Sequence, residues 1–231
     1  MKHIVVLSGA GISAESGIQT FRDSNGLWEN YAIEDVATPQ AWGKNPALVQ
    51  EFYNLRRKAV VDANPNEAHL YFAALEKKYK ITIITQNIDD LHERAGSSNV
   101  LHLHGNIRLA KSSGPNPDKK FYPIDGSKIK TGDLCEDGFQ LRPHVVWFGE
   151  AVPEIDRAAE ICKTADILLV VGTSLQVYPA AGLAFVTPDE TIKIVIDPKC
   201  EELNVNTDFI KLPYSAVEGV KVFDRLLPNF E

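Results

Sequence analysis

Between a short apolar run, Ile4–Leu7, and a helical pattern, the sequence places Ser8-Gly9-Ala10-Gly11-Ile12-Ser13-Ala14. The spacing is G-x-G-x-x-A. Gly9 permits a tight turn, Gly11 lets a pyrophosphate approach the backbone, and Ala14 can pack closely on a sheet. The N–H groups that open a helix favour an anion. The motif therefore points to dinucleotide phosphates, and the plainer reading is a Gly-rich turn without a ligand. A simple dehydrogenase would carry an acidic residue at a strand end about 20 residues on, and none stands there. A second pair, Tyr53 and Arg56, sits three apart in a helical stretch and so shares one face. A guanidinium grips a carboxylate through paired hydrogen bonds, and a phenol adds one more. The alternative is a solvent-facing Tyr and Arg, and the adjoining Arg57 and Lys58 read as solvated. Imidazole titrates near neutral pH and suits a general base, but type alone does not choose among the six histidines.

The elements that must hold these groups follow from apolar patterning. Ile4–Leu7, Ile81–Thr85, Ile167–Val171 and Ile192–Ile196 are nearly all apolar, as strands buried on both faces of a parallel sheet are. Helices are predicted over Asn45–Ala63 (with Leu48, Phe52, Leu55 and Ala59 inward), Asn66–Tyr79 (Leu70, Ala73, Ala74), Pro153–Lys163 and Ser215–Leu227, the last stopped by Pro228. Strands alternating with helices give an α/β, Rossmann-type doubly wound parallel sheet. Leu27–Leu75, purely helical after its first loop, and Ile107–Arg142 fit that scheme poorly. They read as insertions forming a smaller module. The expected organisation is one unit over 1–231, with Rossmann-type parts about 1–26, 76–106 and 143–231 and insertions about 27–75 and 107–142.

The bulk properties exclude some classes. The chain has 231 residues, 44% hydrophobic, with a formal net charge of -7. A surface of that sign disfavours nucleic acid, whose affinity comes from phosphate neutralisation. No apolar stretch approaches the ~18 residues of a membrane span. Cys135, Cys162 and Cys200 are odd in number and far apart, so no disulfide framework is read and a reducing compartment, the cytoplasm, is expected. The sequence sets no oligomeric state.

Five blocks together resemble the sirtuin family. They are Gly9 to Ile18 with Thr20-Phe21-Arg22, Thr85-Gln86-Asn87-Ile88-Asp89-Asp90-Leu91-His92, Leu103-His104-Gly105-Asn106, Val146-Trp147-Phe148-Gly149-Glu150, and Gly172-Thr173-Ser174-Leu175-Gln176-Val177-Tyr178-Pro179. They come in the family's order and cover nearly the whole chain. The resemblance implies NAD-dependent deacylation of protein lysines, in which the acyl oxygen displaces nicotinamide and a base then activates a ribose hydroxyl. It makes His104 that base and leaves His3, His69, His92, His102 and His144 structural. Asn87 and Asp89 then hold the nicotinamide ribose and carboxamide. Gly9, Ala10, Gly11, Ser13, Glu15, Phe21, Arg22, Gln86 and Ile88 are implied to bind NAD, with Gly172, Thr173, Ser174, Asp197 and Ser215 at its adenosine half. Val146, Phe148, Gly149, Glu150, Gln176 and Val177 belong to two strands between which an acylated-lysine segment is laid as a third.

Tyr53 and Arg56 resemble the Tyr-x-x-Arg pair of class III members, bacterial ones included, which hold succinyl- or malonyl-lysine. Two departures stand out. Most sirtuins hold a structural zinc with two Cys-x-x-Cys pairs, whereas Ile107–Arg142 has Cys135 alone, with Ser112 and Pro115 about where the first pair would be. No zinc is expected, and the module should be held by Phe121, Tyr122, Ile124, Ile129 and Phe139. Asp197 stands where Asn is common. ADP-ribosyl transfer and non-catalytic NAD or ADP-ribose sensing are the competing functions. His104, Asn87 and Asp89 argue against the sensor, and Tyr53 with Arg56 argues for deacylation.

Overall fold

The computed structural model describes residues 1–20, 27–28 and 31–230, with 27–28 described in backbone only. Along the chain run β1 (His3–Ser8), α1 (Gly11–Ala14), β2 (Leu27–Trp28), β3 (Tyr31–Ala32), α2 (Ile33–Val36), α3 (Pro39–Lys44), α4 (Pro46–Asp62), α5 (Glu67–Leu75), β4 (Lys80–Thr85), α6 (Leu91–Ala95) and β5 (Val100–His102). Then follow β6 (Gly105–Ser112), β7 (Phe121–Pro123), β8 (Leu141–Val145), α7 (Ile155–Cys162), β9 (Ile167–Val171), β10 (Ile192–Ile196), β11 (Phe209–Leu212) and α8 (Ala216–Leu226).

The apolar runs do form a parallel sheet, in the order β11-β10-β9-β1-β4-β5. Numbered along the chain, that is the 6-5-4-1-2-3 order of the Rossmann fold, and it puts the reversal of winding between β1 and β9. Side chains alternate between two cores. Ile4, Val6, Ile83, Leu169 and Ile196 pack with Phe72 of α5 and Phe223 of α8, while Val5, Leu7, Ile84, Val170 and Val195 pack with Ala158 and Cys162 of α7. Fully burying each such aliphatic side chain contributes about 1.5–3 kcal/mol. Helix starts are capped as their sequences suggest: Asn45 accepts from Leu48 N–H at 3.1 Å and Asn66 from Ala68 N–H at 3.0 Å, each contact worth about 1 kcal/mol.

A second sheet, β7-β6-β8, is antiparallel. It meets α2 to α4 in a third core containing Val36, Val49, Phe52, Ile107, Val145 and Trp147. After the first loop, where β2 and β3 pair as a short hairpin, the stretch to Leu75 carries only helices, α2 to α5, as expected. The last α-helix ends at Leu226, before Pro228, and a 3-10 turn over Leu227–Phe230 follows. Two expectations change here. Phe121 and Phe139 are exposed, and the buried apolar residues in this region are Ile107, Ala110, Ile129 and Cys135. The inward faces of α4 and α5 are also rotated from the expected stripes. Leu55 and Leu70 are exposed, while Val49, Phe52, Tyr53, Arg56, Arg57 and Val60 are buried on α4, and His69, Phe72 and Leu75 on α5.

Arg57 is the largest correction, since it is 0% exposed rather than solvated. Its Nε donates to the Ile107 carbonyl on β6 at 2.6 Å, and Nη1 donates to Asn54 Oδ1 at 2.7 Å and the Ser127 carbonyl at 3.3 Å. Asn54 in turn exchanges hydrogen bonds with Ile129 N–H and carbonyl, both at 2.9 Å. Gln50 reaches the Leu141 carbonyl of β8 at 2.9 Å. The polar side of α4 is thus a clasp on the antiparallel sheet. Most of its partners are backbone groups of that sheet and the 127–129 segment, and buried main-chain groups call for partners. Burial, and then the neighbouring Arg108, lower the Arg57 pKa to about 10, so it remains a cation at neutral pH. Arg57→Met should strip these bonds from buried acceptors and cost about 1.5–3 kcal/mol, read as a lower urea midpoint at unchanged slope. A solvated arginine would change stability by less than about 0.5 kcal/mol.

Candidate active site

The two Gly-containing loops that leave β1 and β9 touch. Gly9 N–H donates to the Val171 carbonyl at 3.0 Å and Gly11 N–H to the Gly172 carbonyl at 2.8 Å. A Cβ on Gly11 would lie 2.6 Å from the Gly172 Cα, and one on Gly9 2.7 Å from the Thr173 Cβ. The two glycines are therefore required for loop against loop, a reason additional to the ligand approach that the motif suggests. Gly172 also has a φ of +62°, which favours glycine.

Over these loops, at the carboxyl ends of β1, β4, β9 and β10, lies a cleft of about 720 Å³. This is where open α/β sheets bind ligands, and the volume suits a whole small molecule. The expected cofactor residues Gly9, Ala10, Gly11, Ser13, Glu15, Gln86, Asn87, Ile88, Asp89, Gly172, Thr173, Ser174, Asp197 and Ser215 all line it, as does His104. So do the expected substrate residues Tyr53, Arg56, Val146, Phe148, Gly149, Glu150, Gln176 and Val177. Phe21 and Arg22 lie outside the described residues.

One wall is a hydrogen-bonded network. Asn87 Nδ2 donates to the Gly9 carbonyl at 3.2 Å and to Ser13 Oγ at 3.1 Å, and Ser13 Oγ donates to Asp89 Oδ2 at 3.0 Å. Leu91 N–H donates to Asp89 Oδ1 at 3.2 Å. Burial pushes the Asp89 carboxyl up, while these two hydrogen bonds pull it back without cancelling the rise. Gln86 Nε2 donates to Thr173 Oγ1 at 3.0 Å, joining the loop after β4 to the loop after β9. At the far end, Asp197 Oδ1 accepts from Lys199 N–H at 2.8 Å. Glu15 accepts from Ser215 Oγ and Val217 N–H at 3.1 and 2.9 Å, which ties α1 to the start of α8. Amides, hydroxyls and carboxylates on one wall suit a ligand rich in hydroxyls and amides.

His104 faces this wall. Its Nδ1 lies 2.9 Å from the Gln86 carbonyl. A carbonyl only accepts, so Nδ1 carries the hydrogen and Nε2 keeps the lone pair. Burial lowers the His104 pKa below its ordinary 6.5, and the Gln86 contact only partly opposes that. The imidazole is therefore neutral and basic at Nε2.

Tyr53 and Arg56 are 2% and 7% exposed and border the cleft from α4. Burial raises the Tyr53 pKa against the pull of Arg56, so the phenol stays protonated as a donor. Val60 continues their face by one turn and also lines the cleft, as do Ile18, Ala37 and Trp147. Val60 could have been found by extending the Tyr53–Arg56 spacing four residues, but Ile18 and Ala37 carry no such signal. Segments 146–150 and 175–177 border the cleft but are not strands: β8 ends at Val145 and neither segment has a ladder partner among the described residues. The Glu150 carboxylate is engaged by Arg142 Nη2 at 2.6 Å and Trp147 N–H at 2.8 Å, and the Arg142 guanidinium lies 3.8 Å over the Trp147 ring.

Residues 9–179 match the Sir2 family model. The chain belongs to the Sir2 family. A relative from Bacteroides thetaiotaomicron, called NAD-dependent protein deacylase, is 49% identical over 98% of each chain. One of the same name from Helicobacter pylori is 48% identical over 96% of this chain and 95% of its own. Among solved structures, a Sir2 homolog–NAD complex is 40% identical, with a TM-score of 0.87 over 100% of this chain and 91% of that one. A Sir2 homologue S24A mutant–ADP ribose complex is 41% identical, with a TM-score of 0.87 over 99% of this chain and 92% of that one.

For this Sir2 protein the His104 geometry is open to direct measurement. In a nitrogen-15 NMR titration its ring should lose its charge below pH 6.5 and show the Nδ1–H tautomer when neutral. An Nε2–H tautomer would refute the assignment of Nε2 as the basic atom.

Proposed function

We propose that this chain is an NAD-dependent protein-lysine deacylase that takes acidic acyl groups, succinyl and malonyl, as well as acetyl. The observation that carries the acyl choice is the placement of Tyr53 and Arg56, buried together on α4 in the cleft that also holds His104, Asn87 and Asp89. A guanidinium beside a protonated phenol in a water-poor pocket recognises a carboxylate through charge-assisted hydrogen bonds. That pair argues for deacylation over ADP-ribosyl transfer, and His104, Asn87 and Asp89 argue against a sensor.

NAD supplies a ribose carbon that gives up nicotinamide and accepts the acyl oxygen. The residues do the rest. Asn87, Ser13 and Asp89 hold the nicotinamide end, and Gly9 to Ser13 with Gly172 to Ser174 face the phosphates and adenosine half. Asp197 and Ser215 close the far end. His104 Nε2 takes a proton from a ribose hydroxyl, and its Nδ1–H contact with Gln86 fixes the ring for that transfer. An acylated segment laid in the cleft between 146–150 and 175–177 would meet exposed main chain on both sides, although neither segment is itself a strand. The parallel sheet and the antiparallel module with its helices act as one catalytic unit with the divisions set out above.

The donor set of the antiparallel module does not fit a structural zinc. Its one thiol, Cys135, donates to Ser112 Oγ at 3.4 Å, so a hydrogen bond stands between two positions that would otherwise be ligands. No group of three or more His, Cys, Asp or Glu is arranged for a metal among the described residues.

Two measurements test the reading. Arg56→Met should lower kcat/KM for succinyl-lysine peptide roughly ten- to a hundred-fold, the loss of about 1.5–3 kcal/mol, with the acetyl rate little changed. His104→Ala, losing about 10²–10⁴-fold on every acyl group, is the companion that marks general loss. An unchanged succinyl-to-acetyl ratio in Arg56→Met would end the acidic-acyl assignment and leave the deacylase. Elemental analysis of the purified protein should give far less than one zinc per chain; stoichiometric zinc held through dialysis against a chelator would overturn the metal-free module.

A further inference from the structure

His102 lies two residues before the base, and both of its ring nitrogens are engaged. Nδ1 is 3.0 Å from the Asn87 carbonyl, and Nε2 is 2.7 Å from Glu93 Oε1 on α6. The carbonyl can only accept. Burial works against the Glu93 charge, but the hydrogen bond and charge of His102 outweigh it, and the carboxyl ends below its ordinary value. Glu93 is therefore ionised and also accepts. Two acceptors call for two N–H donors, and imidazole has two only when it is protonated.

We infer that His102 is a positioning residue, held as an imidazolium between Glu93 and the Asn87 carbonyl, and that this charge fixes the Asn87–Asp89 segment of the nicotinamide site. The inference rests on the assignment of Asn87 and Asp89 to NAD given above. His102 and His104 meet consecutive carbonyls, Asn87 and Gln86, yet are held in opposite charge states. His104 has one acceptor and stays neutral. His102 has a carboxylate at its second nitrogen and keeps its proton.

The surroundings agree. Burial opposes the charge on His102, but Glu93, the Asn87 carbonyl and Asp89 together raise its pKa. His92 on α6 and His144 on β8 also face it, and burial lowers both, His144 to about 4, so neither competes as a cation at neutral pH. Asp90, next along the loop, has Arg94 and Arg108 at 3.6 and 3.7 Å. Asn87 itself is held by its own N–H to Thr85 Oγ1 at 3.0 Å and by its amide to Gly9 and Ser13. The His102 contact secures the remaining side, the carbonyl of the peptide that leads into Ile88 and Asp89.

The sign of the pH effect follows. A raised pKa means that both contacts are complete at low pH and that one is lost as pH rises through that value. The single remaining N–H stays on the stronger acceptor, the Glu93 carboxylate, so the Asn87 contact is the one lost. The KM for NAD should therefore rise on the alkaline side, opposite to the acid limb set by His104.

The test combines NMR with steady-state kinetics on the full chain. Wild-type His102, assigned by comparison with His102→Asn, should titrate above 6.5. In Glu93→Gln it should titrate lower, because a Gln amide can donate to a neutral Nε2 and keep both contacts. His102→Leu should raise the KM for NAD about ten-fold with a smaller change in kcat. His102→Asn keeps a donor near the Nδ1 position, so it should recover most of the affinity and flatten the alkaline rise. A His102 that titrates at or below 6.5, or a His102→Leu protein with wild-type KM for NAD, would overturn the inference. If the Leu variant fails to fold, Glu93→Gln and His102→Asn still decide it. Asn87→Ala, measured alongside, separates the two readings: if it cripples NAD use and His102→Leu does not, only the inference fails. If Asn87→Ala is silent, the site assignment falls and the inference with it.

Discussion

The contact between the loops after β1 and β9 is the constraint on which the site depends. At the point where the sheet reverses its winding, Gly11 and Gly172 approach until a Cβ on one would sit 2.6 Å from the other's Cα. Backbone hydrogen bonds from Gly9 and Gly11 lock that approach. Gln86 extends it to a third loop through Thr173. Because the three loops start from adjacent strands of one rigid sheet, they share a fixed frame. The groups they carry, Ser13, Asn87, Asp89 and Thr173, can then be ordered against one ligand. A side chain larger than hydrogen at either glycine would separate the loops before it touched any ligand.

Burial sets the charge states around that frame, and it sets them differently within a few residues. His104 has a carbonyl at Nδ1 and is neutral. Asp89 is buried and pushed up, and its oxygens accept from Ser13 and Leu91. Tyr53 is kept protonated beside Arg56. The cleft thus offers a neutral base at one end and a cation with a phenol donor at another.

The antiparallel sheet and α2 to α4 complete the cleft from the other side. Its small core is reinforced by polar links from α4: Arg57 to β6, Gln50 to β8, and Asn54 to the 127–129 segment. These links act on the helix that presents Tyr53 and Arg56, so that wall of the cleft and the docking of the sheet share one element. The Arg142–Glu150 pair, stacked on Trp147, steadies the rim in the same way.

Much of this was legible in the residues. The nearly continuous apolar runs specify strands buried on both faces, and the G-x-G-x-x-A spacing specifies a close-packed turn after the first of them. Both are local patterns with a direct physical cause, and they name the sheet and its ligand edge without any coordinates. The blocks around Asn87, His104 and Gly172 likewise fall on loops that the alternation of strand and helix puts at one end of the sheet. What the sequence did not decide is which face of α4 is inward. By hydropathy Leu55 belongs inside and Arg57 outside, yet Leu55 is half exposed and Arg57 is fully buried. A guanidinium can be buried only if acceptors meet it, and those acceptors, Ile107 and Ser127, come from segments fifty and seventy residues away. The charge on His102 has the same origin. It needs Glu93 and the Asn87 carbonyl at its two nitrogens, and only the pairing of β4 with β5 and the turn into α6 bring them there.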